Sequence, residues 1–191
     1  MHNCQSCKNG YTLSMIDSKI VTIDDNAKVL RNLARQIKKS EFKKYIPELK
    51  EALAVALSKE KHGVAIAAPQ IGESVDVFFI PASTFAISKN DENEDKYKDE
   101  LFVNPRIIKH SKKIIMSDEG CLSVPFKYSH SVPRFEKISM QYLDENGEKK
   151  TINASGFLAR VLQHEYDHLQ GILYIDKAHE IIDVDESLKP I

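Results

Sequence analysis

The segment His164-Glu165-Tyr166-Asp167-His168 carries the clearest chemistry in this chain. It spells H-E-x-x-H, and on a helix its two histidines fall one turn apart on one face. That spacing lets two imidazoles meet one metal ion and sets Glu165 beside the water that the ion would bind. Neutral imidazole suits Zn(II) or Fe(II). The ion would lower the pKa of its water toward about 7, and the carboxylate would take the proton and pass it to a leaving amine. A helix whose His and Glu side chains merely face solvent is the plainer reading. Against it, Phe157, Leu158, Val161 and Leu162 define an apolar stripe that steps on to His164, Glu165 and His168, so polar groups fall where the core side should be.

A catalytic site of this type wants three protein ligands and one open position. Where H-E-x-x-H continues as x-x-G-x-x-H, the last histidine is the third ligand. Here Gly171 is in place, but Tyr174 stands at the histidine position. Glu180 and Glu186 are the candidates for a later carboxylate, and both lie in a short tail. Cys121, in Glu119-Gly120-Cys121-Leu122-Ser123, is the better candidate, because thiolate binds borderline ions strongly and Gly120 permits close backbone approach. Taken alone, one cysteine is more often a small buried hydrophobe. Cys4 and Cys7 form a C-x-x-C, but no Cys or His pair follows at zinc-finger spacing, so two free thiols are expected there. Three cysteines in 191 residues do not make a disulfide framework, and a reducing compartment is the simpler reading.

These groups must be positioned by a fold. The spacing of Val29, Leu30, Leu33, Ala34 and Ile37 predicts a helix over 24–39. A second is predicted from the first turn at Pro47 to about residue 61. VDVFFI at 75–80 reads as a buried strand, and 83–100, with its charge run, as an exposed loop. LFVNP, 107–116 and 137–154 are strand-like, the last with a hairpin signal at Glu145-Asn146-Gly147. The H-E-x-x-H helix starts near Ser155 or Gly156 and ends before Gly171 as its C′ glycine. The expected fold is α+β: a single domain of antiparallel strands packed around a central helix, with helices at the N-terminus.

Composition bounds the function. A hydrophobic content of 42% suits one core, and a net charge of -1 argues against stable nucleic-acid binding. No run is long enough to span a bilayer and the start lacks an apolar signal run, so a cytoplasmic protein is expected. Residues 1–17 are expected to be a mobile extension and 177–191 a tail. In that tail Asp183, Asp185 and Glu186 among others outnumber Lys177 and Lys189, the wrong sign for docking on ribosomal RNA beyond a transient encounter.

The chain resembles the peptide deformylases. Their three motifs match, in order, Gly63-Val64-Ala65-Ile66-Ala67-Ala68-Pro69-Gln70, Glu119-Gly120-Cys121-Leu122-Ser123 and Gln163-His164-Glu165-Tyr166-Asp167-His168, and the resemblance covers roughly 18–176. It departs at Ala65, where the family usually has glycine; the added methyl would narrow the substrate groove beside Gly63, Ala65 and Gly120. The resemblance implies hydrolysis of N-formyl-methionyl nascent peptides to formate. It implies Cys121, His164 and His168 as ligands of one divalent ion, commonly Fe(II), with Zn, Ni or Co able to replace it. It places Glu165 as general acid/base, and the Gln70 amide and the Leu122 backbone N-H at the formyl oxygen, where preorganised donors act on developing charge. Glu119 and Arg134 correspond to a supporting ion pair. Two other readings stand beside this one: a zincin-type peptidase with another third ligand, and an idle homologue that binds peptides. Intact ligands and an intact Glu165 speak against the second.

Overall fold

The run Val77-Phe78-Phe79-Ile80 is buried on both of its faces, and the reason lies in what covers it. A computed structural model describes residues 16–191. In it this run is strand β2 (Val77–Ile80), second in a five-stranded antiparallel sheet of order β1-β2-β3-β6-β7. The other members are β1 (Ile66–Ala67), β3 (Glu100–His110), β6 (Lys137–Leu143) and β7 (Lys149–Ser155). Side chains alternate across a strand. Val77 and Phe79, with Leu101 and Val103, therefore pack on helix α2 (Tyr45–Ser58), whereas Phe78, Ile80 and Phe102 pack on helix α4 (Gly156–Leu169). Phe78 stacks on Phe102 at 4.6 Å, and Phe102 meets Tyr142 at 4.1 Å. Each such ring, once buried, contributes about 1.5–3 kcal/mol. A helix on each face thus gives two apolar layers around one sheet, the α+β class expected.

A second sheet, of order β4-β5-β8, carries part of the site: β4 (Ile114–Cys121), β5 (Val124–Phe135) and β8 (Ile182–Asp183). Sequence patterning missed β5. Pro125 and Pro133 weaken a strand assignment because proline cannot donate to a ladder. Neither proline is among the β5 residues that pair with β8, Lys127 and Tyr128.

Two expectations fail for physical reasons. The helix expected over 24–39 stops early, as α1 (Ile23–Leu30). Beyond it the backbone is bound to other elements: Ala34 N-H donates to Leu169 O at 2.9 Å, Arg35 N-H to Ser74 O at 3.0 Å, and Ile37 N-H to the Asn104 side-chain oxygen at 2.8 Å. These tertiary bonds take the donors a helix would use, and Leu33 is left 71% exposed. The loop expected over 83–100 contains helix α3 (Ala82–Ser88) and a short turn of 3-10 helix, Glu94–Lys96. Helix α3 is too short for a periodic signal, and its first N-H is capped from a distance by Asp99. The second helix begins before Pro47, at Tyr45, and the 145–147 turn joins β6 to β7 as expected. Cys4, Cys7 and all but the end of the 1–17 extension lie outside the described residues.

Gly171 closes α4 with φ 72°, and a Cβ there would stand 2.5 Å from the Arg31 carbonyl oxygen. Gly156 opens the helix with φ 56° and nothing within 4 Å of its Cβ position. Gly156→Ala should therefore lose about 1 kcal/mol, the left-handed penalty alone. Gly171→Ala should lose clearly more, because the backbone it meets must shift. Urea unfolding of the two variants checks this, and equal losses would show that the Arg31 contact yields freely.

Candidate metal and catalytic site

Helix α4 presents His164, Glu165 and His168 toward the hairpin of β4 and β5, where Cys121 waits at the turn. Strand β4 ends at Cys121, and Cys121 pairs with Val124 across a two-residue connection, Leu122-Ser123. Register shifts flank Glu119 on both sides, a bulged stretch of the kind that re-aims side chains beside active sites. Ser117 and Glu119, two residues apart on β4, both turn inward by strand alternation.

The donor atoms of Cys121, His164 and His168 all lie within 4.8 Å of one another, and Cys121 Sγ is 3.3 Å from His168 Nε2. A thiolate and an imidazole bound at about 2.3 Å and 2.05 Å to one tetrahedral ion stand roughly 3.5 Å apart. Electrostatics agree with a cation here. Burial works to lower the His164 pKa, yet the Cys121 sulfur and the Glu119 carboxylate hold it well above its usual value. Burial keeps His168 well below its own, in the neutral form that ligates. Glu119 accepts a bond from His164 Nδ1 at 2.8 Å, which leaves Nε2 as the ligand atom. One thiol and two imidazoles at these distances fit a single divalent ion of borderline softness.

Glu165 is 3% exposed, and burial raises its carboxyl pKa to about 7. Its Oε2 has no hydrogen-bond partner among the described residues, an unusual condition for a buried carboxyl group. Gln70 sits on the 3-10 turn Ala68–Ile71, where its Oε1 accepts the Ala67 N-H at 2.8 Å. That bond fixes the amide, and Nε2 faces Ser123 Oγ at 3.3 Å and Cys121 Sγ at 3.6 Å.

Gln70, Glu119, Cys121, His164 and Glu165 line one cleft of about 240 Å³. Gly63, Ala65 and Gln70 enter it from the segment around β1, and Glu119, Gly120, Cys121 and Leu122 from the hairpin. A Cβ on Gly63 would collide with Leu57 at 2.5 Å, and one on Gly120 would press on Tyr128 at 3.2 Å. The Ala65 methyl is 6% exposed and belongs to the core layer against α4. Arg134 lies behind the cleft. It forms a fully buried pair with Glu119, at 2.6 and 2.7 Å.

The profile described as polypeptide deformylase matches residues 18–182. This chain belongs to the polypeptide deformylase family. A peptide deformylase of Treponema pallidum is 42% identical over 118 residues, 62% of this chain and 64% of that protein. The matched stretch thus spans about 64% of that relative's length. The crystal structure of the Thermotoga maritima peptide deformylase superposes with a TM-score of 0.71 at 28% identity, covering 85% of this chain and 97% of that one. The Met-Ala-Ser-bound class I type b peptide deformylase of Acinetobacter baumannii gives 0.70 at 28% identity, covering 85% and 99%.

The deformylase motifs leave out the groups that hold them. Arg134 also binds Asp167 at 2.5 Å, and Lys177 Nζ reaches both Asp167 oxygens at 2.7 Å. Asp167 is one of the two unspecified positions of H-E-x-x-H, and only its place on the buried side of α4 hinted at a role. Farther out, Val21 N-H donates to Gln70 O at 2.7 Å and Ile23 N-H to Ser123 O at 2.9 Å, so one short segment ties two motifs together. No sequence signal marks those residues.

Burial alone would raise the Glu119 pKa, but the bonds from Arg134 and His164 outweigh it and hold the group at about 2. Because that lies below the ordinary 4.5, the stabilisation is present above about pH 4.5 and is lost as pH falls toward 2. Arg134→Met strands Glu119 and Asp167 without their shared cation and should lose about 3–5 kcal/mol at pH 7 in urea titration. Its stability should also fall less steeply in acid than that of the parent protein. A loss below about 1 kcal/mol would show that water or Lys177 replaces the guanidinium.

Proposed function

We propose that the chain removes the formyl group from the N-terminal N-formylmethionine of newly made polypeptides and releases formate. The observation that carries this reading is the convergence of Cys121, His164 and His168 within ligand reach, beside a cleft lined by Cys121, His164, Glu165 and Gln70, in a chain of the deformylase family. Cys121 also argues against a zincin-type peptidase, because no other third ligand belongs to this cluster among the described residues. A bound tripeptide beginning with methionine in the A. baumannii relative fits a substrate entering by its N-terminal residue.

One divalent ion, Fe(II) in the cell with Zn, Ni or Co able to replace it, would be held by Cys121, His164 and His168 and would supply Lewis-acid polarisation and a nucleophile at neutral pH. Glu165 takes a proton from the attacking water and returns it to the methionine nitrogen as the C-N bond breaks. The carboxyl can play both parts because burial poises it near neutrality. Gln70 Nε2, its orientation set by the Ala67 bond, donates to the formyl oxygen as charge grows there, with the Leu122 backbone N-H beside it. Gly63, Ala65 and Gly120 border the groove for the peptide. Glu119 and Arg134 hold His164 and the cysteine turn in place.

No helix among the described residues is long and apolar enough to cross a membrane. The reading places the enzyme in the cytoplasm, meeting nascent chains without docking on the ribosome through its acidic tail.

Glu165→Ala should keep the metal while formate release from a formyl-Met peptide falls at least about a hundredfold. Near-normal turnover would remove Glu165 from the chemistry. Gln70→Leu should lower kcat about a hundredfold to a thousandfold with little change in metal content, because an oxyanion donor acts mainly in the transition state. Loss of the metal in that variant would instead assign Gln70 to loop support, and unchanged kcat would exclude it as a donor. No formate release by the metal-loaded parent protein would overturn the reading altogether.

A further inference from the structure

Four non-glycine residues among those described adopt positive φ: Asn90, Asn104, Phe126 at 59° and Leu188 at 61°. Asparagine tolerates that region, but for a bulky apolar side chain it is an outlier held by surrounding structure. Phe126 and Leu188 come from segments far apart in sequence, yet both line the cleft that contains Cys121 and His164. Both are also largely uncovered, at 59% and 44% exposure.

The backbone that enforces this is well bonded. Strand β8 adds the tail to β5 at Lys127 and Tyr128, and Val184, buried, donates its N-H to Phe126 O at 3.1 Å. Asp185 then folds the last residues into a tight loop. Its side chain accepts from Ser187 N-H at 2.8 Å and Lys189 N-H at 3.0 Å, and its carbonyl accepts from Leu188 N-H at 2.9 Å. The tail therefore presents Leu188 at a fixed place, beside a residue of β5 in the same backbone state.

A cleft of about 240 Å³ is smaller than the roughly 300–1,000 Å³ of drug-sized pockets and accommodates about one residue. If that residue is the formylated methionine, as the deformylase reading on which this inference rests requires, the rest of the peptide must leave along the cleft mouth. We propose that Phe126 and Leu188 form an apolar outer subsite for the side chain of one of the two residues that follow the methionine. The C-terminal tail is thereby a specificity element of the groove.

The test is formate release by metal-loaded enzyme from formyl-Met-Leu-Ser, formyl-Met-Ser-Leu and formyl-Met-Ser-Ser. The parent protein should favour one leucine peptide over the all-serine peptide in kcat/KM on the order of tenfold, the scale of half-covering a leucine side chain, with the difference mainly in KM. Leu188→Asn and Phe126→Asn place a residue that accepts left-handed backbone at exposed positions, so folding is preserved. Either change should bring the ratio to within about twofold of unity, whereas Ile87→Ser, on an exposed side chain outside the cleft lining, should keep it. A parent ratio near one, or a ratio that survives both asparagine variants, would overturn the subsite while leaving the deformylase reading intact. Absence of formate from all three peptides would overturn both.

Discussion

Arg134 placed between Glu119 and Asp167 is the contact on which the site's geometry depends. It is the buried meeting point of three elements: Glu119 comes from β4, Arg134 from β5 and Asp167 from α4. All three ligands are covalently close to it, since Cys121 lies two residues after Glu119, His164 three before Asp167 and His168 one after it. A slip of one residue in the hairpin would turn Glu119 to the opposite face and leave the guanidinium without its partner. The penalty for a buried, unpaired charge is therefore what fixes the register that brings sulfur to imidazole.

An apolar cluster of similar volume could join the same elements, often with no loss of stability. What it could not do is hold His164. The imidazole needs an acceptor at Nδ1 so that Nε2 is the atom presented for coordination, and a carboxylate supplies that bond while raising ligand basicity. A carboxylate in that place must in turn be compensated, which requires Arg134. Arg134 carries more positive charge-bonding capacity than one carboxylate uses, and Asp167 takes the remainder with Lys177 closing the chain at the half-exposed edge. Each member follows from the demand of the previous one, starting at a histidine that must keep one tautomer.

How much of this was legible in the sequence divides by the range of the interaction. His164, Glu165 and His168 declare themselves because one helix carries all three, and helical spacing is a local property. The strand at 77–80, the 145–147 turn and the end of α4 at Gly171 are legible for the same reason. Where distant bonds decide, the sequence misleads. Residues 31–37 have helical spacing but give their backbone donors to Leu169, Ser74 and Asn104. Strand β5 carries two prolines yet pairs with β4, and Asp167 looks like a variable position inside a motif until Arg134 is seen beneath it. Glu119 and Arg134 were expected to pair through family resemblance alone; nothing in their spacing indicates a bond that depends on a bulged hairpin.

The inner and outer parts of the cleft are built on different principles, and this bears on how the site can vary. Ligands and acid/base stand on a helix and a strand end whose positions are over-determined by core packing and by the buried charges. The groove walls come from less regular backbone: the turn at Ala68–Ile71, the connection Leu122-Ser123, and the left-handed residues Phe126 and Leu188. The side chains of Phe126 and Leu188 contribute little to the packed core, as their exposure attests. Substitution there changes what the cleft touches without moving Cys121, His164 or His168, because neither residue takes part in the bonds that tie β4, β5 and α4 together. Ala65 is the exception. Its methyl is part of the core layer against α4 as well as the cleft lining, so there the width of the groove is coupled to the packing of the helix that bears the ligands.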